Sequence, residues 1–215
     1  VDLAGNTFAG IADDTTWNFT TILTPPPTLT THVLSGGNWN VDTWNNPAKW
    51  DNGVPVGEID VVIGAGNHAS VTFANSGVVT PFYMGDLTLE TGSIMQVGGS
   101  STADDLRALG TGTWTLNAGS DVTLRYGQNS VHSNDILMAG DATIALGRST
   151  SAHNRHRTLT GTISGNGLLT IHSSSRNVLH LQGLNDWSGG LYAGGTEAED
   201  TRETIEAEAP GSLGT

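Results

Sequence analysis

The sequence contains no cysteine, so it has neither a disulfide framework nor thiolate chemistry. Basic residues are also scarce: Lys and Arg number 8 against 21 Asp and Glu, which gives a formal net charge of -13. A field of this sign repels phosphate groups and argues against nucleic acid or an anionic membrane as a partner. No apolar run approaches the ~18 residues of a bilayer-spanning helix, so no membrane span is predicted.

Charged residues make up only 13% of the chain and aromatic residues 6%, whereas glycine occupies 29 positions. This composition is typical of turn-dense all-β proteins and unlike that of helical bundles, which are rich in Ala, Leu, Glu and Lys. From Asp60 onward, short β-type runs alternate with Gly, Asn and Asp. The predicted strands are 60–63, 70–73, 85–89, 93–97, 113–116, 121–124, 135–138, 142–146, 158–163, 168–171 and 177–181.

Several of these runs repeat a pattern of strand, small-residue turn and strand. The pattern recurs roughly every 20–27 residues, a period typical of solenoids and propellers, in LTLETGSIMQV, WTLNAGSDVTL, ILMAGDATIAL and TISGNGLLTI. Glycine in the turns permits the positive φ that a corner requires, and stacked turns would follow one another at about 4.8 Å. We therefore predict a β-solenoid, with an antiparallel sandwich as the structural alternative.

Residues 33–57 include Trp39, Trp44 and Trp50, which stand among Asn, Asp, Gly and Pro. An open solenoid end exposes core and unpaired backbone, so we predict that this segment is a Trp-rich N-terminal cap over the first turn. The stretch GNWNVDTWNNPAKWDNGVPVGEIDVVIG resembles the opening of secreted bacterial β-solenoids. The alternative is that the same tryptophans form a platform on which sugars stack.

The first 23 residues form a separate segment with a predicted extended β-strand at 15–22, in which Trp17 and Phe19 share one face. Its pattern, DLAGN followed by TTWNFTT, resembles the last two strands of a bacterial immunoglobulin-like domain. A Pro-rich stretch at 24–32 follows and is expected to be an extended, semi-rigid linker. We predict that Trp17, Phe19 and Ile22 dock on a neighbouring subunit by β-augmentation, which would build a head-to-tail filament.

The stretch from Asn177 to Leu191 has the sequence NVLHLQGLNDWSGGL. It resembles the repeat of autotransporter passengers and related secreted proteins. This resemblance implies a right-handed parallel β-helix, here over 33–215, that is exported to the bacterial cell surface or beyond. The motif indicates an architecture, because members of the family differ in what they do. The residues at the motif positions are Asn185, Trp187, Ser188, Gly189 and Gly190.

Catalysis on such a scaffold needs carboxylates or bases clustered on neighbouring turns. The candidates are Asp121, Arg125, Asp141 and Arg148, which would fall on adjacent turns. The simpler interpretation is that aspartates occupy the corners for turn chemistry and keep the rod soluble. No motif of polysaccharide-cleaving enzymes is present, so we predict no enzymatic activity, no cofactor and no metal ligand.

The remaining polar features are histidines and an acidic run. Arginines surround His153 and His156 and oppose metal binding, so 153–157 is predicted to be a solvated loop. His172 and His180 lie within predicted strands and are expected to form a short structural ladder. The run at 197–208 lacks the spacing of a calcium loop and is predicted to be a solvated loop, with calcium binding left open.

Together with the resemblance, these features predict an extracellular or cell-surface β-solenoid with a non-enzymatic structural or adhesive function. We expect self-association into oligomers or filaments, with surface glycans as further partners. The alternative function is a polysaccharide-binding or polysaccharide-cleaving module, which needs acids and aromatic rings aligned along one groove. A third interpretation treats the chain as an excerpt of a larger passenger whose activity lies elsewhere.

Overall fold

The computed structural model describes residues 29–32, 44, 46–55, 59–72, 84–99, 112–126, 129–147, 155–173, 177–194 and 204–208. These residues contain 16 β-strands, one 3₁₀ turn at Pro47–Lys49 and no α-helix. Accordingly, none of them belongs to a helix that is long and apolar enough to cross a membrane. The opening segment 1–23, with the predicted interface residues Trp17, Phe19 and Ile22, lies outside the described residues.

The strands form three sheets, and every strand pairing is parallel. Sheet 1 contains β1 (Leu29–His32), β2 (Ile59–Ile63), β4 (Met84–Leu89), β6 (Trp114–Leu116), β9 (Ile136–Met138) and β12 (Ile163–Gly165). Sheet 2 contains β3 (His68–Thr72), β5 (Ile94–Gly99), β7 (Asp121–Tyr126), β10 (Ala142–Leu146), β13 (Leu169–Ser173) and β15 (Leu191–Ala193). Sheet 3 contains β8 (Ser130–His132), β11 (Arg155–Leu159), β14 (Asn177–Leu181) and β16 (Thr204–Ala207).

Each strand pairs with the strand that occupies the same place one turn later along the chain. In sheet 1, Leu87 pairs with Trp114, and Trp114 pairs with Ile136 one turn further on. Hydrogen bonds between neighbouring turns join residues that are 22 to 28 positions apart, as between Thr113 and Asp86 (27) and between Asn134 and Gly112 (22). Hairpins would have given antiparallel neighbours, so the predicted parallel β-solenoid is confirmed and the sandwich alternative is wrong. The right-handed sense of the coil stays a prediction.

In sheets 1 and 2, side chains alternate between an inner buried position and an outer, more exposed position. In β10, for example, Ile144 is fully buried while Thr143 is half-buried. Stacking places Ile144 between Val122 and Ile171, which are also fully buried. Removing this apolar surface from water is the main favourable term in folding. The apolar inner positions of these sheets include Val61, Ile63, Leu87, Leu89, Met95, Val97, Trp114, Leu116, Val122, Leu124, Ile136, Met138, Ile144, Leu146, Ile163, Leu169 and Ile171.

Sheet 3 differs, because much of its inner face is polar. Its inner residues Ser130, His132, Arg157 and Asn177 are at most 2% exposed. Hydrogen bonds satisfy part of this polarity: His132 Nε2 lies 3.2 Å from Ser130 Oγ, and Asn177 Nδ2 donates to Ser173 Oγ at 3.0 Å. Apolar packing returns further along two of its strands, at Leu159 on β11 and at Leu179 and Leu181 on β14.

Two predictions for this part of the chain are wrong. Residues 153–157 were expected to form a solvated loop, but Arg155–Leu159 is β11 and the Arg157 side chain is fully buried. The run 158–163 was expected to be one strand, but the chain leaves sheet 3 after Leu159 and enters sheet 1 at Ile163. In the first case the inner position of β11 at Arg157 is polar, so no apolar alternation reveals the strand. In the second case Leu159 and Ile163 are both apolar and buried, so the corner between them was included in one run.

At the N-terminal end of the solenoid, Trp44 and Trp50 are 0% and 5% exposed. Their rings meet edge to face at 4.9 Å between centroids, and Trp50 Nε1 donates to the Trp44 carbonyl at 2.8 Å. The Trp44 N–H donates to the Ser70 carbonyl at 3.2 Å and so satisfies a backbone acceptor on β3, the first strand of sheet 2. This is the geometry expected of a cap.

Burial also decides between the two interpretations of the tryptophan segment. Because the rings of Trp44 and Trp50 are buried, they offer no open face on which a sugar can stack, and the platform interpretation is wrong for these two residues. Trp39 lies outside the described residues. The end of the predicted linker contributes to the same region, since Leu29–His32 forms β1 and pairs with β2.

Candidate functional site

The repeat motif lies along the outer edge of β12, the last strand of sheet 1. Asp186 N donates to the Ile163 carbonyl and Ser188 N to the Gly165 carbonyl, each at 2.9 Å. Asn185 Oδ1 accepts from Ile163 N at 2.6 Å, and its side chain is 5% exposed. The motif therefore continues sheet 1 by one irregular strand. In it the side-chain oxygen of Asn185 accepts the hydrogen bond from Ile163 N that a backbone carbonyl would accept in a regular ladder.

The other motif residues complete this turn. Trp187 is 1% exposed, and its Nε1 donates to the Gly190 carbonyl at 3.1 Å. Gly190 has a φ of 88°, which disfavours any residue with a Cβ. A Cβ on Gly189 would lie 2.0 Å from the Gly167 carbonyl oxygen of the preceding turn, so the close stacking of turns requires glycine there. The motif thus has an architectural role in this chain.

Aspartate carboxylates join successive turns at or near their corners, the short segments where the chain passes from one sheet to the next. We call them corner acids: two lie in the first half of a strand of sheet 1, Asp60 in β2 and Asp86 in β4, and two directly precede a strand, Asp135 before β9 and Asp141 before β10. Each accepts a hydrogen bond from a backbone N–H of the following turn, which supports the interpretation that corner acids are structural. Asp141, a candidate for catalysis, is one of them. The bonds run from Asp86 N to Asp60 (2.9 Å), from Thr113 N to Asp86 (2.8 Å), from Thr162 N to Asp135 (2.8 Å) and from Leu168 N to Asp141 (2.8 Å).

Asp121 lies on the outer face of β7, which pairs directly with β10. Its Oδ1 accepts a hydrogen bond from Thr123 Oγ1 at 2.9 Å. Burial raises the pKa of the Asp121 carboxyl above its usual range, against the opposing effects of the Thr123 bond and of His172 and His68. A carboxyl with a raised pKa suits general acid chemistry. Of its predicted partners, Arg148 and the Arg125 side chain lie outside the described residues.

A cluster of histidine and glutamate side chains, which we call the His–Glu cluster, lies on the outer face of sheet 3. It comprises His180 on β14, Glu206 on β16 and Glu208 just beyond β16. His180 Nδ1 lies 2.5 Å from Glu208 Oε1 and 3.1 Å from Glu206 Oε2. Gln182 Nε2 donates to the second Glu208 oxygen at 2.7 Å. The hydrogen bonds from Gln182 and His180 lower the pKa of Glu208.

His180 also stacks on His156 of the neighbouring strand. The ring centroids are 4.9 Å apart, the planes are inclined by 22°, and His156 Nδ1 lies 2.6 Å from His180 Nε2. The predicted ladder of His172 and His180 is wrong, because His172 lies on β13 in sheet 2 and His180 on β14 in sheet 3. The solvated loop predicted at 197–208 is corrected in part, since Thr204–Ala207 is β16 and pairs with β14.

The His–Glu cluster was missed from the sequence, although its spacing contains a signal. His156 and His180 are 24 residues apart, and His180 and Glu208 are 28 apart. Both separations are close to one turn of the solenoid, and residues one turn apart on one face of a strand become neighbours. Recognising this required knowing that β11 and β16 are strands, which their polar sequences concealed.

Of the residues predicted to be functional, the structure brings the motif residues together and uses Asp141 at a corner. The predicted interface residues Trp17, Phe19 and Ile22 stay outside the described part of the chain. Comparison of the chain with protein-family models, with curated proteins and with solved structures finds no match. Function is therefore inferred from the geometry given above.

Proposed function

We propose that this chain is a non-enzymatic structural or adhesive β-solenoid of the extracellular space or the bacterial cell surface. The observation that supports this most directly is the use of its corner acids, whose carboxylates accept backbone bonds from the next turn. A carboxylate used in this way holds two turns in register and is not free to act on a substrate. The motif of Asn185 to Gly190 serves the same end, because it adds a further turn to the rod.

The proposal includes self-association through the N-terminal segment, in which Trp17, Phe19 and Ile22 would add a strand to a second copy of the chain. The ends of the rod offer strands that have a partner on only one side among the described residues: β1 and β3 at the N-terminal end, and β15 and β16 at the far end. An edge strand presents unpaired N–H and C=O groups and is a template for a further strand.

This proposal is tested by comparing the full chain with Trp17→Ala/Phe19→Ala and with the matched control Asn18→Ala, which lies on the opposite face of the predicted strand. We expect sedimentation and electron microscopy to show oligomers or filaments for the full chain and the control. The double variant should be monomeric, because the side chains that enter the neighbouring sheet have been removed. A full chain that is monomeric at every concentration, or a double variant that assembles unchanged, contradicts self-association.

The alternative, a polysaccharide-binding or polysaccharide-cleaving module, is favoured by two observations. The Tyr192 side chain on β15 is 58% exposed and offers a ring for sugar stacking. The raised pKa of Asp121 supplies a carboxyl that stays protonated at higher pH than an ordinary aspartate. Incubation with a panel of polysaccharides distinguishes the two proposals: binding that is lost in Tyr192→Ala, or chain shortening that is lost in Asp121→Asn, supports this alternative. If the protein neither binds nor shortens any polysaccharide of the panel, the result supports the structural function instead.

A further inference from the structure

The His–Glu cluster places three potential metal ligands at the outermost strand of sheet 3. His180 and Glu206 are register partners on β14 and β16, and Glu208 follows two residues after Glu206. Their ligand atoms all lie within 4.8 Å of one another. The cluster is accessible from solvent, since the side chains of His180, Glu206 and Glu208 are 14%, 50% and 40% exposed.

Hydrogen bonding around His180 determines what its Nδ1 atom can do. At 2.6 Å, His180 Nε2 and His156 Nδ1 share one hydrogen. In the structure His180 Nδ1 carries the hydrogen that it donates to Glu208. A metal ion would take the place of that hydrogen, and His180 Nε2 would then donate to His156 Nδ1. Three electron-pair donors then converge on one point, and two of them are anionic. Such a set is stabilised by a cation between the donors.

We propose that His180, Glu206 and Glu208 bind a divalent transition-metal ion of the Zn²⁺ class. A second observation that points to a metal is the orientation of the ligands by residues outside the set. His156 holds the far nitrogen of His180, and Gln182 holds the second oxygen of Glu208. Metal-binding histidines and carboxylates are fixed by outer partners in this way.

The donor types select the metal. One imidazole nitrogen with two carboxylate oxygens suits Zn²⁺, whereas Ca²⁺ and Mg²⁺ take oxygen ligands. Tetrahedral ligands at about 2.0–2.2 Å from Zn²⁺ stand roughly 3.3 Å apart. The distances from His180 Nδ1 to the two glutamates, 2.5 and 3.1 Å, approach that value after rotation of side chains that are exposed and so able to move. Water would take the fourth position.

A bound metal would tie β16 to β14. Among the described residues, β16 has a neighbour on one side only, so its pairing with β14 is its link to the sheet. A metal held by one ligand from β14 and two from the β16 segment adds a cross-link between the two strands. The predicted outcome is slower hydrogen exchange at the amides of 204–208 when the metal is present.

The test uses the full chain, freed of metal by a chelator and titrated with Zn²⁺ near pH 7 by calorimetry. We expect one saturable site. Glu206→Gln and Glu208→Gln should each weaken binding at least about ten-fold, and His180→Asn should abolish it. His156→Asn should weaken it about 10–100-fold, the range for loss of an outer partner. The matched control is Glu90→Gln, because Glu90 is an exposed acid at a corner outside sheet 3.

Hydrogen exchange supplies a second readout that does not depend on the His180 variant remaining folded. Zn²⁺ should protect the amides of 204–208 in the unchanged chain and in the Glu90→Gln control, and should not protect them in Glu206→Gln. The proposal is overturned if the chain shows no saturable Zn²⁺ binding, if the four cluster variants bind as the control does, or if Ca²⁺ binds more tightly than Zn²⁺. It is also overturned if NMR shows His180 protonated on both nitrogens in saturating Zn²⁺, because a proton then takes the place of the metal.

Discussion

Sheets 1 and 2 differ from sheet 3 in the residues of their inner faces, although all three stack parallel strands in the same way. The inner faces of sheets 1 and 2 are ladders of Leu, Ile, Val and Met, as at Val122, Ile144 and Ile171. The inner face of sheet 3 begins with Ser130, His132 and Arg157. Even so, all three sheets have parallel strands with the same turn-to-turn pairing.

The difference separates what defines the fold from what stabilises it. Parallel pairing and corner bonds are common to both regions: Asp135 accepts Thr162 N beside sheet 1, and Asn129 accepts His156 N beside sheet 3. Apolar burial is concentrated in sheets 1 and 2. Backbone pairing and corner side chains therefore specify where each strand lies, and apolar packing supplies most of the favourable free energy of folding.

The largest effect is expected from truncation of the apolar ladder. Ile144→Ala removes a fully buried side chain between Val122 and Ile171 and should lower the free energy of unfolding by about 2–5 kcal/mol. The control, Thr143→Ala on the outer face of the same strand, should cost less than about 1 kcal/mol. Urea denaturation followed by circular dichroism measures both. Equal losses in the two variants would contradict the assignment of the stabilising packing to the inner face.

The polar inner face of sheet 3 should make the protein less stable in acid. Burial, aided by the positive charge of Arg157, lowers the pKa of His132 from 6.5 to about 4. Between these values the unfolded chain binds a proton that the folded chain does not, so stability is lost as the pH falls from 6.5 towards 4. The loss attributable to this group is about 3 kcal/mol.

His132→Gln isolates that contribution, because the variant has no imidazole to titrate. We expect the free energy of unfolding of the unchanged chain to fall more steeply than that of the variant below about pH 6.5, and the two slopes to agree above it. Urea titrations across this range give the comparison. Parallel curves in acid would mean that folding does not lower the pKa of the His132 imidazole, and would contradict its burial as a neutral group.

The corner bonds should give a smaller effect that is common to both regions. Asp135→Ala removes the acceptor for Thr162 N and should cost about 1 kcal/mol, whereas Asp135→Asn keeps an amide oxygen and should cost less. For sheet 3, Asn129→Ala should resemble Asp135→Ala, since Asn129 Oδ1 accepts His156 N at 3.0 Å. Thermal melts of the three variants test this. If Asp135→Asn is as destabilising as Asp135→Ala, the hydrogen bond is not the stabilising feature.

The smallest effect is expected on the outer face of sheet 3. Val131 on β8 is 58% exposed, so Val131→Thr keeps the branched shape and removes little buried apolar surface. The change in unfolding free energy should stay within about 0.5 kcal/mol. A loss above about 1 kcal/mol in the urea midpoint analysis would show that this face is covered in solution.

The sequence predicted the apolar strands closely and the polar ones poorly. The strands at 142–146 and 177–181 have the predicted bounds, because apolar residues alternate in them and small residues flank them. β8 was missed and the first three residues of β11 were assigned to a loop, since His132 and Arg157 occupy positions where the pattern requires an apolar residue. The His–Glu cluster was missed as well, because β16, the strand that contains Glu206, was assigned to a loop.

The motif residues Asn185 to Gly190 were predicted in part. Their architecture was expected from a resemblance, yet the reasons for the individual residues needed coordinates. Asn185 bonds Ile163 N across 22 residues, and Gly189 is required by the Gly167 carbonyl of the turn before. Both reasons lie in the neighbouring turn, and no local pattern in the sequence reports on a neighbour whose alignment is not yet known.

The corner carboxylates also govern how such a chain can change in length. Thr113, Thr162 and Leu168 each meet an aspartate that stands 27 residues earlier. If a stretch of one full turn were deleted or duplicated, each backbone N–H would still lie opposite an equivalent aspartate. The rod would then become one layer shorter or longer. An insertion of one or two residues inside a strand would instead shift the amides of the following turn away from the acceptors that precede the insertion. Whole layers are thus the units by which this protein can be lengthened, shortened or recombined.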